Sequence, residues 1–304
     1  MKQIVVLSGK GGTGKTSFAA ALAHLASQEM SLVIADADVD AANLELLLSP
    51  SGKEQHDFIS GQLAVIDEEL CLGCGTCEDV CRFDAVRFPQ DPRTSVVFSI
   101  DSSACEGCAA CMYQCPSDAI QMKSRRSGQW FRSETRFGPL FHAHLFAGQE
   151  NSGKLVTLVK QEARQLASEK GCPLLLVDGP PGIGCPVISS LSGADLALLV
   201  AEPTVSGVHD LERMMGTARH FGVPCLALIN KTDINISLSQ AIEELCRSQG
   251  VDTIGKIPYD PAVTEAMVHG QPVTAYIDND VTDSLKLIWN RVKERALAAK
   301  PMAV

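Results

Sequence analysis

The stretch Ile4-Val5-Val6-Leu7-Ser8-Gly9-Lys10-Gly11-Gly12-Thr13-Gly14-Lys15-Thr16-Ser17 decides how this chain folds. Its four leading apolar residues read as a buried parallel strand. Residues 9–14 form a loop, and the alanine-rich residues 16–28 are helix-prone. Together they fit G-x-x-x-x-G-K-[ST] between a strand and a helix. In such a loop, backbone N–H groups curl around phosphates and the helix N-terminus adds its dipole. Gly9, Lys10, Gly11, Gly12, Thr13, Gly14, Lys15, Thr16 and Ser17 are the expected nucleotide-binding residues. Lys15 would reach the β- and γ-phosphates, and Thr16 would offer its hydroxyl to Mg²⁺.

Outward from this loop, apolar strands are expected at residues 32–35, 63–66, 140–146, 174–177, 196–200, 225–229 and 253–257. Helices are expected at 41–48, 153–168, 207–220, 237–249 and 282–298. Strands alternating with helices predict an α/β fold, a doubly wound, mostly parallel sheet with right-handed crossovers. Hydrophobic content of 45% in 304 residues supports a substantial core, and the net charge of −10 argues against nucleic acid or an anionic membrane as the main partner. The first strand begins at once after Met1 and no apolar run reaches the length of a membrane span, so a cytoplasmic protein is expected.

The alternation breaks between residues 67 and 122, where two cysteine runs stand: Cys71-x2-Cys74-x2-Cys77-x3-Cys81 and Cys105-x2-Cys108-x2-Cys111-x3-Cys115, then Pro116. This is the spacing of a two-cluster bacterial ferredoxin. Cys71, Gly73, Cys74, Cys77, Cys81, Asp84, Ala85 and Val86 repeat as Cys105, Gly107, Cys108, Cys111, Cys115, Asp118, Ala119 and Ile120. A segment this short and poor in large apolar residues needs bound metal to fold. Residues 1–66 and 123–304 are therefore expected to form one nucleotide-binding domain, with 67–122 a small α+β ferredoxin-like insert. Zinc, the main rival, favours paired C-x2-C knuckles without the x3 continuation. By analogy with two-cluster ferredoxins, whose fourth cysteine crosses to the other cluster, Cys71, Cys74, Cys77 and Cys115 would hold one 4Fe–4S cluster. Cys105, Cys108, Cys111 and Cys81 would hold the other. Arg82 replaces the proline that usually follows the fourth cysteine.

Acidic residues end two of the strands. Asp36, Asp38 and Asp40 crowd after the second, an arrangement that calls for a nearby cation. Asp178 ends the strand at 174–177 and is followed by Gly179-Pro180-Pro181-Gly182. Asp178 would bind Mg²⁺ through water, and the Gly182 N–H would sense the γ-phosphate. Asn230-Lys231-Thr232-Asp233 fits a guanine reader, yet an Asn here also suits adenine. With Pro258 and Tyr259 as the other wall of the base site, the spacing leaves ATP and GTP open.

The loop G-K-G-G-x-G-K-T resembles the deviant loop of the MinD/ParA/Mrp class of P-loop ATPases, which includes the nitrogenase iron protein. The resemblance implies ATP/ADP with Mg²⁺, an ATP-closed homodimer, and a Lys10 that crosses the dimer interface to the partner's nucleotide. Residues 36–40 look like switch I of that class. Asp38 would then orient the attacking water and Asp36 would support Mg²⁺ through water, making Lys10, Lys15 and Asp38 the catalytic set. Over nearly its full length, including residues 150–156 and 257–272, the chain resembles members of this superfamily carrying an inserted ferredoxin domain. That family is associated with metal-cofactor assembly and anaerobic redox systems.

Three functions compete: an assembly ATPase acting on a client metalloprotein, an ATP-gated electron donor to a redox partner, and a positioning ATPase with structural clusters. Three weaker signals have plain readings. Cys185 is a small apolar residue behind switch II rather than a ligand of a bridging cluster. His142 and His144 share one strand face and belong to an ordinary sheet surface rather than a metal site. The amphipathic last helix, with Leu285, Ile288 and Val292, packs on the sheet rather than tethering a membrane.

Overall fold

The computed structural model describes residues 1–88, 97–149 and 152–297. Glu150 and Asn151, part of the resembling stretch 150–156, and Ala298, the expected end of the last helix, lie outside the described residues. In chain order the elements are β1 (Lys2–Ser8), α1 (Lys15–Ser27), β2 (Leu32–Asp36), α2 (Leu44–Leu48), β3 (Ser51–Ile66), α3 (Thr76–Asp79), β4 (Val86–Arg87), β5 (Ser99–Ile100) and α4 (Ala110–Gln114). There follow β6 (Ile120–Thr135), β7 (Gly138–Leu145), α5 (Ser152–Glu169), β8 (Leu174–Pro181), α6 (Cys185–Leu191), β9 (Leu196–Ala201) and α7 (Val205–His220). The last are β10 (Cys225–Asn230), α8 (Ile236–Ser248), β11 (Asp252–Ile257), α9 (Pro261–Val268), α10 (Val273–Tyr276) and α11 (Asp280–Leu297). Two compact units result. One comprises Met1–His56, Trp130–His144 and Ser152–Val304, the other Asp57–Gln129 and Leu145–Asn151.

The first unit is built on a sheet of strand order β11-β10-β9-β1-β8-β2-β7-β6-β3. β1 runs parallel to both β8 and β9, and β2 runs parallel to β8 and β7. Covered on both faces, these central strands are apolar along their length, and Ile4, Val5, Val6 and Leu174 to Val177 are all buried. The β2–β8 register sets Asp36 beside Asp178 at the carboxyl end of the sheet, where open parallel sheets receive ligands. The alanines of α1 (Ala19, Ala20, Ala21, Ala23, Ala26) are fully buried, because only small side chains let this helix lie close to the sheet and to its neighbours. The last helix, α11, buries Val281, Leu285, Ile288, Trp289 and Val292 in the same core, so its apolar stripe is consumed by packing. Gly255 of β11 permits that approach; a Cβ there would collide with Ile288.

Two long strands were not legible in the sequence. β3 begins at Ser51 rather than residue 63, and β6 has no counterpart among the expected strands. Residues 51–57 are exposed throughout, without the apolar alternation that marks a half-buried strand. β6 is joined to β7 by Arg136 and Phe137 alone, a hairpin-length link.

In the second unit β4 pairs antiparallel with β5, Val86 opposite Ile100. Its small core of Ala64, Cys77, Ala85, Val86, Phe98, Cys105 and Ile120 includes two of the run cysteines. The repeat is written in the backbone as well. Gly73 and Gly107 have φ 64° and 66°, while Asp84 and Asp118 have φ 48° and 53°. No helix among the described residues is long and apolar enough to cross a membrane.

Candidate functional site

At the carboxyl edge of the first unit's sheet lies a cleft of about 740 Å³, open to solvent. Its walls are the loop of residues 10–17, Asp38, Pro180 and Pro181, Asn230, and residues 258–260. Gly12 and Gly14 hold φ 81° and 91°, left-handed values that only glycine adopts without strain. Gly14 is also the point of closest approach to Asn230, whose Nδ2 donates to the Thr13 carbonyl at 2.8 Å. Lys231 Nζ donates to the Gly12 carbonyl at 2.8 Å. The Asn-Lys pair at the end of β10 thus shapes the phosphate loop from behind. Asp233 Oδ1 accepts from the Tyr259 N–H at 2.6 Å, tying together the two segments expected to flank a base. Ser17, expected at the nucleotide, turns its hydroxyl toward the Met267 sulfur.

The charged centre is compact. Lys15 is 6% exposed, with Nζ 2.8 Å from Asp178 Oδ1 and 3.9 Å from Asp38 Oδ2. Burial opposes its charge, but Asp178, Asp36 and Asp38 outweigh burial and hold its pKa above the usual lysine value. Asp38 is pushed up to about 6, chiefly by burial, with Asp178 and Asp40 adding repulsion against the pull of Lys15. The second oxygen of Asp178, Oδ2, is buried and has no hydrogen-bond partner. A buried, unpaired carboxylate oxygen beside the Thr16 hydroxyl's loop fits Mg²⁺ or a water held by it.

Asp36 does more than the sequence indicated. Its Oδ1 accepts from the Asp38 N–H at 3.0 Å, and its Oδ2 from the N–H groups of Asn43 at 3.1 Å and Leu44 at 3.0 Å. A carboxylate has about four acceptor positions, so most of this one shapes the turn into α2 and little remains for a magnesium-bound water. Burial and Asp178 lift its pKa to about 7 in spite of Lys15 and these donors.

Gly182 requires a correction. Its N–H, expected to face the γ-phosphate, donates to the Ser8 carbonyl at 2.9 Å. β8 runs on to Pro181 beside β1, Pro181 opposite Ser8, so the next amide completes that pairing. Lys10 also turns inward, with Nζ 2.6 Å from Glu202 Oε1 and 3.2 Å from Thr204 Oγ1. The other Glu202 oxygen lies 3.2 Å from Lys231 Nζ. Glu202 was missed in the sequence, although an acid just past the end of β9 obeys the rule that singled out Asp36 and Asp178.

In the second unit the cysteines gather around two cavities. One is lined by Cys71, Cys74, Cys77 and Cys115. The other is lined by Cys81, Cys105, Cys108 and Cys111. Each set takes three cysteines from one run and the last from the other. The rest of each lining is mostly apolar, with Thr76 and Ser117 in the first and Glu106 in the second. Thr76 lowers the Cys74 pKa by hydrogen bonding, and Ser117 outweighs slight burial to lower that of Cys115. Burial pushes the Cys77 and Cys111 thiols the other way; four converging thiols in each set form a donor set suited to iron or zinc.

Cys185 is exposed at the start of α6 and unpaired. His142 departs from the expected sheet surface, being completely buried on β7, whereas His144 is part-exposed; Glu45 of α2 lies beside both rings.

Comparison with known proteins places this geometry. Residues 4–273 match the family described as the CobQ/CobB/MinD/ParA nucleotide binding domain. An uncharacterised protein of Methanocaldococcus jannaschii is 35% identical over 96% of either chain. A cytosolic Fe–S cluster assembly factor of Drosophila willistoni is 21% identical over 96% of this chain and 81% of its own. Among solved structures, the septum site-determining protein MinD of Pyrococcus horikoshii, complexed with Mg-ADP, superposes with a TM-score of 0.59 at 18% identity, covering 99% of both chains.

Proposed function

Because the chain belongs to the CobQ/CobB/MinD/ParA family of nucleotide-binding domains, we propose that it is an ATP-hydrolysing iron–sulfur protein. In this reading, nucleotide-driven closure of a homodimer is coupled to assembly of a metal cofactor or cluster on a client metalloprotein. The observation that carries it is the makeup of the two cysteine cavities, each four thiols drawn from both runs, in a chain that also has a phosphate loop. Similarity to the Drosophila assembly factor supports the client class, and similarity to the Mg-ADP complex of MinD supports an adenine nucleotide.

The chain's own residues divide the work. Loop amides and Lys15 would hold the β- and γ-phosphates, and Lys15 would exchange its contact with Asp178 for phosphate oxygen. The Thr16 hydroxyl and Asp178 would hold Mg²⁺, which supplies neutralising charge to the phosphates when bound. Asp38 would orient the attacking water. With a pKa of about 6 it is mostly ionised at neutral pH, yet basic enough to accept a strong hydrogen bond. Lys10 would leave Glu202 for the partner's γ-phosphate. The two cysteine sets would hold 4Fe–4S clusters, which supply single-electron storage when bound. α2 is separated from β3 by only Ser49 and Pro50, and β3 carries the chain into the second unit. A change at switch I therefore has a short covalent route toward the cysteines.

The completeness of both four-cysteine sets favours a second reading, an ATP-gated electron donor that keeps its iron. Anaerobic reconstitution tests the common ground: about eight iron and eight sulfide per chain are expected, and Lys15→Ala should lose ATP binding by calorimetry while retaining iron. Iron near zero, or unchanged ATP affinity in Lys15→Ala, refutes it. With ATP present, iron passing to an apo-ferredoxin acceptor selects assembly. Full iron retention with ATP-dependent reduction of an electron acceptor selects the donor.

A further inference from the structure

Away from the nucleotide cleft, three metal-ligand side chains converge within the first unit. His142 and His144 occupy alternate positions of β7 and so project from one face of the strand. Glu45, on α2, lies against both. Its Oε2 is 3.3 Å from His142 Nδ1, and its Oε1 is 3.5 Å from His144 Nε2. One nitrogen from each ring and a carboxylate oxygen all fall within 4.8 Å of one another.

The buried histidine carries the argument. Its side chain is 0% exposed, and Nδ1 has no hydrogen-bond partner. A buried polar nitrogen without a partner calls for an explanation. On its other side Nε2 faces the buried Ser133 hydroxyl at 3.5 Å. A ring proton on Nε2, the side that faces Ser133, would leave the Nδ1 lone pair toward Glu45, the tautomer a metal-ligating imidazole needs. The separations are informative. Good hydrogen bonds between nitrogen and oxygen span about 2.7–3.2 Å. Ligands about 2.0–2.1 Å from one tetrahedral metal lie about 3.3 Å apart. The His142 Nδ1–Glu45 Oε2 gap matches the edge of a coordination tetrahedron better than it matches a hydrogen bond; His144 faces the other oxygen, Oε1, so one metal would need a small shift of that part-exposed ring.

We propose that Glu45, His142 and His144 bind a divalent first-row transition metal, through Nδ1 of His142, Nε2 of His144 and the Glu45 carboxylate, with the fourth position open on the side of His144. Two imidazoles and one carboxylate suit zinc or ferrous iron and are poorly suited to Mg²⁺ or Ca²⁺. His144 is 41% exposed, which provides an entry path. One cation competes: Lys53 Nζ sits 3.3 Å from Glu45 Oε2 and over the Phe131 ring. Lys53 is 43% exposed and can swing into water. The site has a consequence for switch I. The residues just before Glu45, Asn43 and Leu44, supply two of the three amides that hold Asp36. A metal on Glu45 would fix α2 to β7 as Asp36 fixes the start of α2 to β2.

The test is equilibrium dialysis of the full chain against Zn²⁺, with zinc counted per chain and the zinc-edge X-ray absorption recorded. The readout is the difference between variants, so zinc held by the cysteine runs cancels. His144→Ala and Glu45→Gln alter partly exposed side chains and are chosen over His142, whose replacement would disturb the core. The wild-type chain should hold about one more zinc than either variant, with a nitrogen/oxygen shell at about 2.0–2.1 Å that both variants lose. Lys53→Met should tighten that zinc several-fold. Equal zinc content in all the proteins, or a shell of sulfur alone in the wild type, overturns the proposal.

Discussion

Asp36 should make the nucleotide-free protein less stable as pH rises, and replacing it with Asn should remove that trend. Its pKa is lifted from 3.8 to about 7, first by burial and then by Asp178. The folded state therefore holds the proton more tightly than the unfolded state. Its contribution to stability is fully present below pH 4 and is lost as pH rises through about 7. A rise of this size corresponds to about 4 kcal/mol against the charged form once it is fully ionised. Asp36→Asn removes the charge and keeps one carbonyl oxygen, which can stay with the paired Asn43 and Leu44 amides. It turns an amide NH₂ toward the Asp38 N–H, leaving that donor unpaired at about 1–3 kcal/mol. The charge term wins above pH 7.5, where the variant should be more stable by roughly 1–3 kcal/mol. Near pH 3.5, where Asp36 is largely neutral in folded and unfolded chains alike, the variant should be the less stable of the two.

Urea unfolding from pH 3.5 to pH 8.5 measures the crossover. Trp130 and Trp289, the only tryptophans, both lie in the first unit, so their fluorescence reports on the unit that holds Asp36. Other groups also titrate. His142, depressed to about 4 mainly by burial, loses stability in the opposite direction, as pH falls from 6.5 toward 4. It contributes to both proteins and drops out of the difference. A variant destabilised by the same amount at every pH would refute the reasoning, for it would mean that the three amide contacts matter and the charge does not.

Lys160 is buried, and its Nζ donates to the carbonyls of Ser189, Ser190 and Ser192, at and just past the end of α6, at 2.5, 2.8 and 2.8 Å. Lys160→Met keeps the stem and should cost roughly 1–3 kcal/mol in urea unfolding; an unchanged midpoint would show that water replaces the ammonium. Cys115→Ser should halve the reconstituted iron, from about eight to about four per chain. It should expose Cys71, Cys74 and Cys77 to alkylation while Cys105, Cys108 and Cys111 stay protected. The reverse protection pattern would show that each run serves its own cavity.

What the sequence disclosed followed physical contrast. The apolar strands β1, β2, β8, β9 and β10 stood out because both faces of a central parallel strand are buried. The loop of residues 9–16 stood out because its glycines, lysine and threonine serve one geometry. β3 and the outer part of β6 did not, since an exposed strand end needs no apolar pattern. Asp36 was located correctly by its place at a strand end, but its three backbone donors depend on how residues 38–44 turn, which spacing alone does not reveal. Gly182 failed for a related reason. Its chain position suggested a phosphate contact, while one further residue of β1–β8 pairing gave its N–H to Ser8. His142 looked like surface because β7 was read without β6, and it is buried beside Phe131 and Ser133 of that strand.

On the proposed function, the contact of Lys10 with Glu202 would set how easily that lysine can leave its own chain. Lys10 is 35% exposed, so solvent screens its ion pair, and such pairs contribute about 0–1 kcal/mol. Glu202 has a second lysine partner in Lys231, and the two together overcome the burial penalty and keep its pKa low. Losing Lys10 to another anion thus leaves Glu202 charged and still paired. This makes Glu202 a weak latch, strong enough to park the lysine and too weak to oppose a triphosphate. Glu202→Gln keeps the side chain's length and one acceptor oxygen but removes the charge. If the latch holds Lys10 back, ATP hydrolysis measured at low protein concentration should rise about 2–5-fold, the equivalent of up to about 1 kcal/mol. Lys10→Ala, which removes the group being released, should abolish the gain when combined with Glu202→Gln. A faster rate that survives in the double variant would show that Glu202 acts through Lys231 and the Gly12 carbonyl instead.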